Sequence, residues 1–146
     1  MSLAIVNVYH RDADTITSGE TVLVAAERMR QRTVGSLIVV DRAGKPIGIV
    51  TDRDLVIRVL ADNRDPSGTA VVEIMTPDVV AINSDASVES ALQLMRDGTF
   101  RRLPVVDHRG ILVGIVTLDD LLLHLTHELS LAGHVLEQET PRAAAC

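Results

Sequence analysis

Two short spans hold the residue types that could do chemistry: Thr51 with Asp54, and Thr117 with Asp120. In each, a hydroxyl and a carboxylate stand three residues apart. They lie inside two nearly identical phrases, GIVTDRDL from Gly48 to Leu55 and GIVTLDDL from Gly114 to Leu121. At a helix start this spacing makes a capping box. The Thr oxygen accepts from the third helical N–H, and the acid reaches back to the Thr N–H. The same geometry suits a ligand. N–H groups at a helix start favour an anion, and a Thr hydroxyl can donate to a phosphate oxygen. A carboxylate one turn later can accept from two neighbouring hydroxyls, as a ribose presents them. The two uses are compatible, and the residues by themselves leave both open.

The phrase is doubled because the chain is doubled. When Gly48 is slid onto Gly114, Thr15 to Leu60 lies on Ala81 to Thr126 without a gap. About 18 of roughly 46 aligned pairs are then identical. Neither copy alone would bury enough surface to be stable, so the two should pack together about a pseudo-twofold axis.

Each copy reads as β-α-β-β-α, which predicts an α+β fold. A short strand (14–17 and 79–82) is followed by Ser-Gly-Glu-Thr or Ser-Asp-Ala-Ser, which turns the chain and caps a helix over 21–31 or 87–97. Apolar residues recur there at helical spacing: Val22, Ala25, Ala26 and Met29, then Val88, Ala91, Leu92 and Met95. Strands over 37–41 and 103–107 turn at Gly44 and Gly110 into strands over 47–51 and 112–117. Second helices follow over 52–62 and 118–129. The boundaries are then 7–66 for the first repeat, 73–131 for the second, and a flexible tail at 132–146, frayed from Glu137. Residues 71–76 read as a helical turn ending at Pro77. The first dozen residues have no partner in the repeat, and Leu3 to Tyr9 fits a strand or a helical turn equally well.

The 146 residues are 47% apolar with a net charge of -6, and Tyr9 and Phe100 are the only aromatic side chains. An acidic chain without stacking aromatics is a poor nucleic-acid binder. No apolar run approaches the ~18 residues of a membrane span, and no leader segment opens the chain. Cys146 is the only cysteine, so no internal disulfide can form and the cytoplasm is the expected compartment.

The two phrases, together with RRLPVVD (Arg101 to Asp107) and EIMTPDVVAI (Glu73 to Ile82), resemble the tandem CBS-domain module, or Bateman module, of stand-alone bacterial type. The resemblance covers about residues 7–131. It implies a regulatory, non-catalytic module that binds an adenosine-containing ligand (AMP, ADP, ATP or a related adenosyl compound), requires no cofactor, and signals to an effector protein that the sequence does not identify. Carried over, Thr51 and Asp54 serve the ribose and phosphate of one cleft, and Thr117 and Asp120 those of the other. The implied adenine walls are Thr15, Ile16, Leu37 and Ile38 in the first cleft, and Ala81, Ile82, Leu103 and Pro104 in the second. Core packing would explain the same aliphatic residues. Arg101 and Arg102 are expected to reach a phosphate across the twofold, in the Asp54 cleft. Their counterparts Gly35 and Ser36 carry no charge, so the clefts should be unequal. A structural interaction module with degenerate clefts is the alternative.

No Ser-His-Asp phrase and no Gly-rich phosphate loop is present. His124, His127, Glu128 and His134 are loosely spaced and suggest a polar helix end more than a metal site. His10 and His108 are expected in turns. The second helices carry more leucine and valine than a half-buried helix needs: Leu55, Val56, Val59 and Leu60, then Leu121, Leu122, Leu125 and Leu129. That excess predicts a homodimer.

Overall fold

The computed structural model describes residues 3–98 and 100–139. Strand β1 (Thr15–Thr17) leads to helix α1 (Val22–Arg32), whose N-cap Thr21 accepts from the Val24 N–H at 3.3 Å. Strands β2 (Ser36–Val40) and β3 (Pro46–Thr51) form a hairpin, and α2 (Asp52–Leu55) follows. Strand β4 (Thr76–Pro77) precedes the second unit: β5 (Ile82–Asn83), α3 (Val88–Gly98), β6 (Arg102–Val106), β7 (Leu112–Thr117) and α4 (Leu118–Glu139). The sheets run β1-β2-β3-β4 and β5-β6-β7, each with a parallel first pair and an antiparallel hairpin. Gly44 and Gly110 turn the hairpins at positive φ, 85° and 80°, where a side chain would be strained. The turns also touch: the Leu112 N–H donates to the Gly44 carbonyl at 3.0 Å, joining the two units.

The segment before each repeat closes the other repeat. β4 pairs with β3, Thr76 opposite Ile49, while His10 bridges to Ile115 in β7. Ala70 bridges to Thr21, and Ala4 to Ser87. Single turns of tight helix at Val71–Glu73 and Ile5–Asn7 place Val71 and Ile5, both fully buried, in the first and second cores respectively. These contacts correspond one for one when repeat is laid on repeat, so the opening residues do have a counterpart. It was invisible because Ile5 to Tyr9 and Val71 to Met75 share shape and burial but few letters.

Three other expectations change. Residues 79–81 stay outside the ladder, and β5 is only Ile82–Asn83. Beyond Leu55 the second helix of the first unit widens over Val56–Leu60, with Ala61 donating five residues back to Val56 at 2.8 Å. α4 does not stop near Leu129 but continues to Glu139. Residues 132–139, read as flexible tail, are therefore helical: no proline interrupts before Pro141, and Leu, Gln and Glu are good helix formers. Residues 140–146 lie outside the described residues. Among the described residues no helix is long and apolar enough to cross a membrane.

Candidate functional site

Both Thr–Asp pairs sit where a strand becomes a helix, β3 into α2 and β7 into α4, and both are complete capping boxes. Thr51 Oγ1 accepts the Asp54 N–H at 3.1 Å, and Asp54 Oδ2 accepts the Thr51 N–H at 2.9 Å. Thr117 and Asp120 repeat this at 3.1 and 3.0 Å. All four side chains are half-buried, so each box still meets solvent.

The carboxylates differ in their second oxygen. Among the described residues Asp54 Oδ1 faces Arg58, with Nε at 3.8 Å. Asp120 Oδ1 lies 2.7 Å from His10 Nε2. Burial pushes the Asp120 carboxyl up, but the hydrogen bonds from Thr117 and His10 outweigh it and hold it below the usual range. His10 was expected in a plain turn. Its backbone is instead paired with Ile115, which aims its ring at the second box. Nothing in the letters around His10 signals this, because its partner is over a hundred residues away in the chain.

Arg101 and Arg102, both exposed, flank Thr117, Leu118 and Asp119 around a cavity of about 220 Å³. The Arg101 carbonyl accepts the Leu118 N–H at 2.8 Å, and Arg102 is the ladder partner of Thr117. The strand register thus puts the two arginines beside the Thr117 box of their own repeat, and Arg102 also lines a slot with Ile49 of the first repeat. At the equivalent place next to Thr51, Gly35 and Ser36 adjoin Asp52, whose backbone N–H donates to the Gly35 carbonyl at 2.9 Å.

The aliphatic side chains expected as adenine walls divide between the two cores and the opposite sheet faces. Ile16 and Leu37 belong to the first core, Ile82 and Leu103 to the second. The two-residue period of a strand turns Ile16 and Ile82 inward and leaves the half-buried Thr15 and Ala81 facing out. Ile38 and Pro104 are 4% exposed and under 2% exposed. By the same alternation they lie on the sheet faces away from those cores, opposite Ile49 and Ile115 in register. A shallow slot of about 90 Å³ is lined by Ile49, Pro77, Val80, Phe100 and Arg102 from both units. Among the described residues no group of three or more His, Cys, Asp or Glu side chains converges as a metal site would require.

Comparison with known proteins gives a consistent result. The family model described as "CBS domain" matches twice, over residues 5–61 and 71–127. The CBS domain-containing protein YhcV of Bacillus subtilis is 42% identical over 110 residues, 75% of this chain and 76% of that one. An uncharacterized protein of Methanopyrus kandleri is 40% identical over 121 residues; the match covers 83% of this chain and 62% of that protein's length. The crystal structure of Hypoxic Response Protein I with two coordinated zinc ions superposes with a TM-score of 0.74 at 30% identity, covering 83% of this chain and 98% of that one.

Proposed function

The chain belongs to the CBS-domain family as a tandem pair, a kind of module that is generally regulatory and ligand-binding, and we propose that it senses an adenosine-containing ligand of AMP, ADP or ATP type. The ligand's ribose is read by the Thr–Asp boxes, and the resulting shape change passes to a partner protein. In this reading the chain carries out no reaction. The observation that carries it is Asp54: a half-buried carboxylate with one oxygen fixed in the cap and the other, among the described residues, facing a cation at 3.8 Å. Such an oxygen can accept a ribose hydroxyl without breaking the cap. Arg101 and Arg102 supply positive charge for a phosphate beside Thr117. The zinc ions of the Hypoxic Response Protein I structure do not enter this reading, since the described residues offer no three-ligand set.

The test is mass spectrometry of the supernatant after denaturing freshly purified protein, followed by calorimetric titration with AMP, ADP, ATP and adenosine. A released adenine nucleotide, or saturable binding, supports the reading. A clean supernatant with no heat from any of the four overturns it in favour of a structural interaction module.

A further inference from the structure

When repeat is laid on repeat, His10 falls on Thr76 and Asp120 on Asp54. The backbones agree: His10 pairs with Ile115 as Thr76 pairs with Ile49. The side chains do not. Among the described residues no side-chain hydrogen bond joins Thr76 to Asp54, whereas His10 Nε2 is 2.7 Å from Asp120 Oδ1. An ionised carboxylate only accepts, so His10 donates here. With Thr117 N–H on Oδ2 and His10 on Oδ1, both oxygens of Asp120 are engaged.

Resting on the reading of the boxes as ribose sites, we infer that His10 is a latch on the second cleft. It holds the oxygen that a ribose would need, so a nucleoside must compete with the imidazole for Asp120 Oδ1. In the first cleft, among the described residues, Asp54 Oδ1 meets no imidazole but the more distant Arg58 Nε at 3.8 Å, which makes it the higher-affinity nucleoside site. The second cleft has the arginines but a masked ribose acceptor, so what it gains in phosphate attraction it loses in ribose recognition. His10 is placed to yield: its side chain is 63% exposed against 16% for Asp120, so the ring can swing into water while its backbone stays paired with Ile115. A hydrogen bond to a charged group corresponds to about tenfold in an equilibrium constant, which is the penalty expected for opening the latch.

The experiment isolates the second cleft by working in full-length Asp54→Ala protein and titrating AMP and adenosine calorimetrically with and without His10→Ala. The latch predicts about tenfold tighter binding of both ligands after His10→Ala, because both present a ribose. Unchanged or weaker binding overturns it, weaker binding making His10 a ligand contact instead. If the parent binds AMP but Asp54→Ala,His10→Ala does not, the second cleft reads no ribose and the latch falls while the first-cleft reading stands. If neither ligand binds the parent or any variant, the ribose reading itself falls, and the latch with it. The contact is checked without ligand by the ring nitrogen resonances of His10, which should move on Asp120→Asn; unmoved resonances would overturn the contact itself. His10→Ala removes a side chain that is 63% exposed and belongs to neither core, so loss of fold does not confuse the outcome.

Discussion

Arg28 holds both carboxylate oxygens of Glu20, with Nη2 at 2.9 Å from Oε1 and Nη1 at 3.2 Å from Oε2. The arginine also donates to the Thr15 carbonyl at 3.0 Å, and Glu20 accepts the Thr17 N–H at 2.8 Å. One ion pair therefore ties the turn after β1 to helix α1. The Arg28 bond is the largest influence on Glu20; burial works against it, and the Thr17 bonds add to it. The carboxyl is held at about 2 instead of the ordinary 4.5. A depressed folded-state value means the contribution is present above the unfolded value and is lost as pH falls from about 5 through 2. Both side chains are about a third exposed, so solvent screens the pair and the contribution is about 0.2–1 kcal/mol. Glu20→Gln should lower stability by that amount at pH 7 and by almost nothing at pH 2. Urea melts at both pH values check it, and an equal deficit at both would refute the charge argument.

The capping boxes give a second expectation. Asp54→Ala and Asp120→Ala each remove a cap that satisfies an otherwise unpaired N–H, at a cost of about 0.5–2 kcal/mol. Asp120→Ala also deletes the His10 contact, so it should be the costlier of the two. Thermal melts without added ligand are the measurement. A melting temperature that stays level or rises on Asp54→Ala would mean that Asp54 is held for a ligand at the expense of the fold.

A third prediction concerns the exchanged lead-in segments. A Cβ on Gly114 would run into the His10 carbonyl oxygen and the Tyr9 ring; one on Gly48 would meet Met75 Sδ at 2.6 Å and the Thr76 carbonyl oxygen at 2.8 Å. A thioether can shift but a paired backbone carbonyl cannot, so both Gly→Ala changes destabilise and Gly114→Ala more so, by about 1–3 kcal/mol or above. Ile5→Ala leaves a hole in the second core and should cost about 2–5 kcal/mol. Hydrogen exchange should then show β5, β6 and β7 losing protection before β1, β2 and β3. Loss spread evenly over both sheets would argue that the lead-in segment does not belong to one core.

Much of this was readable from the letters, for a definite reason. Helix α1, helix α3 and the two hairpins are local: Val22 to Met29, Gly44 and Gly110 specify them by spacing and by turn chemistry within a few residues. The capping boxes were readable for the same reason. The exchange of lead-in segments was not, because Ile5 meets Ala86 and His10 meets Ile115 only through tertiary structure. The neighbours of the arginines were not legible either, because ladder register, Arg102 opposite Thr117, and the slot Arg102 shares with Ile49 arise only in the folded chain. Ile16 and Ile82 lie in the two cores, the packing alternative, and a strand buried on one side shows the same aliphatic letters whether they face a core or a ligand.

Self-association is the last expectation, and the folded chain sharpens which leucines it rests on. Val59 and Leu121 are taken up by their own cores, at 4% and 0% exposure. What remains outside is substantial: Val56, Ile57 and Leu60 after α2, and Leu122, Leu123 and Leu129 along α4, each at least half exposed. Between α1 and α2, Leu23, Ala26, Leu55, Val56 and Leu60 line an apolar groove of about 280 Å³. Contiguous apolar surface of this kind on a small chain marks a contact face. Covering it with a second copy would bury residues worth about 1.5–3 kcal/mol each. The protein should therefore be a homodimer at micromolar concentration, and Leu60→Glu with Leu122→Glu should leave a folded monomer, since neither residue belongs to a core. Light scattering on both proteins decides it: a parent mass near the 15.8 kDa of one chain would refute the dimer, and a doubly substituted variant that stays dimeric would move the interface off these helices.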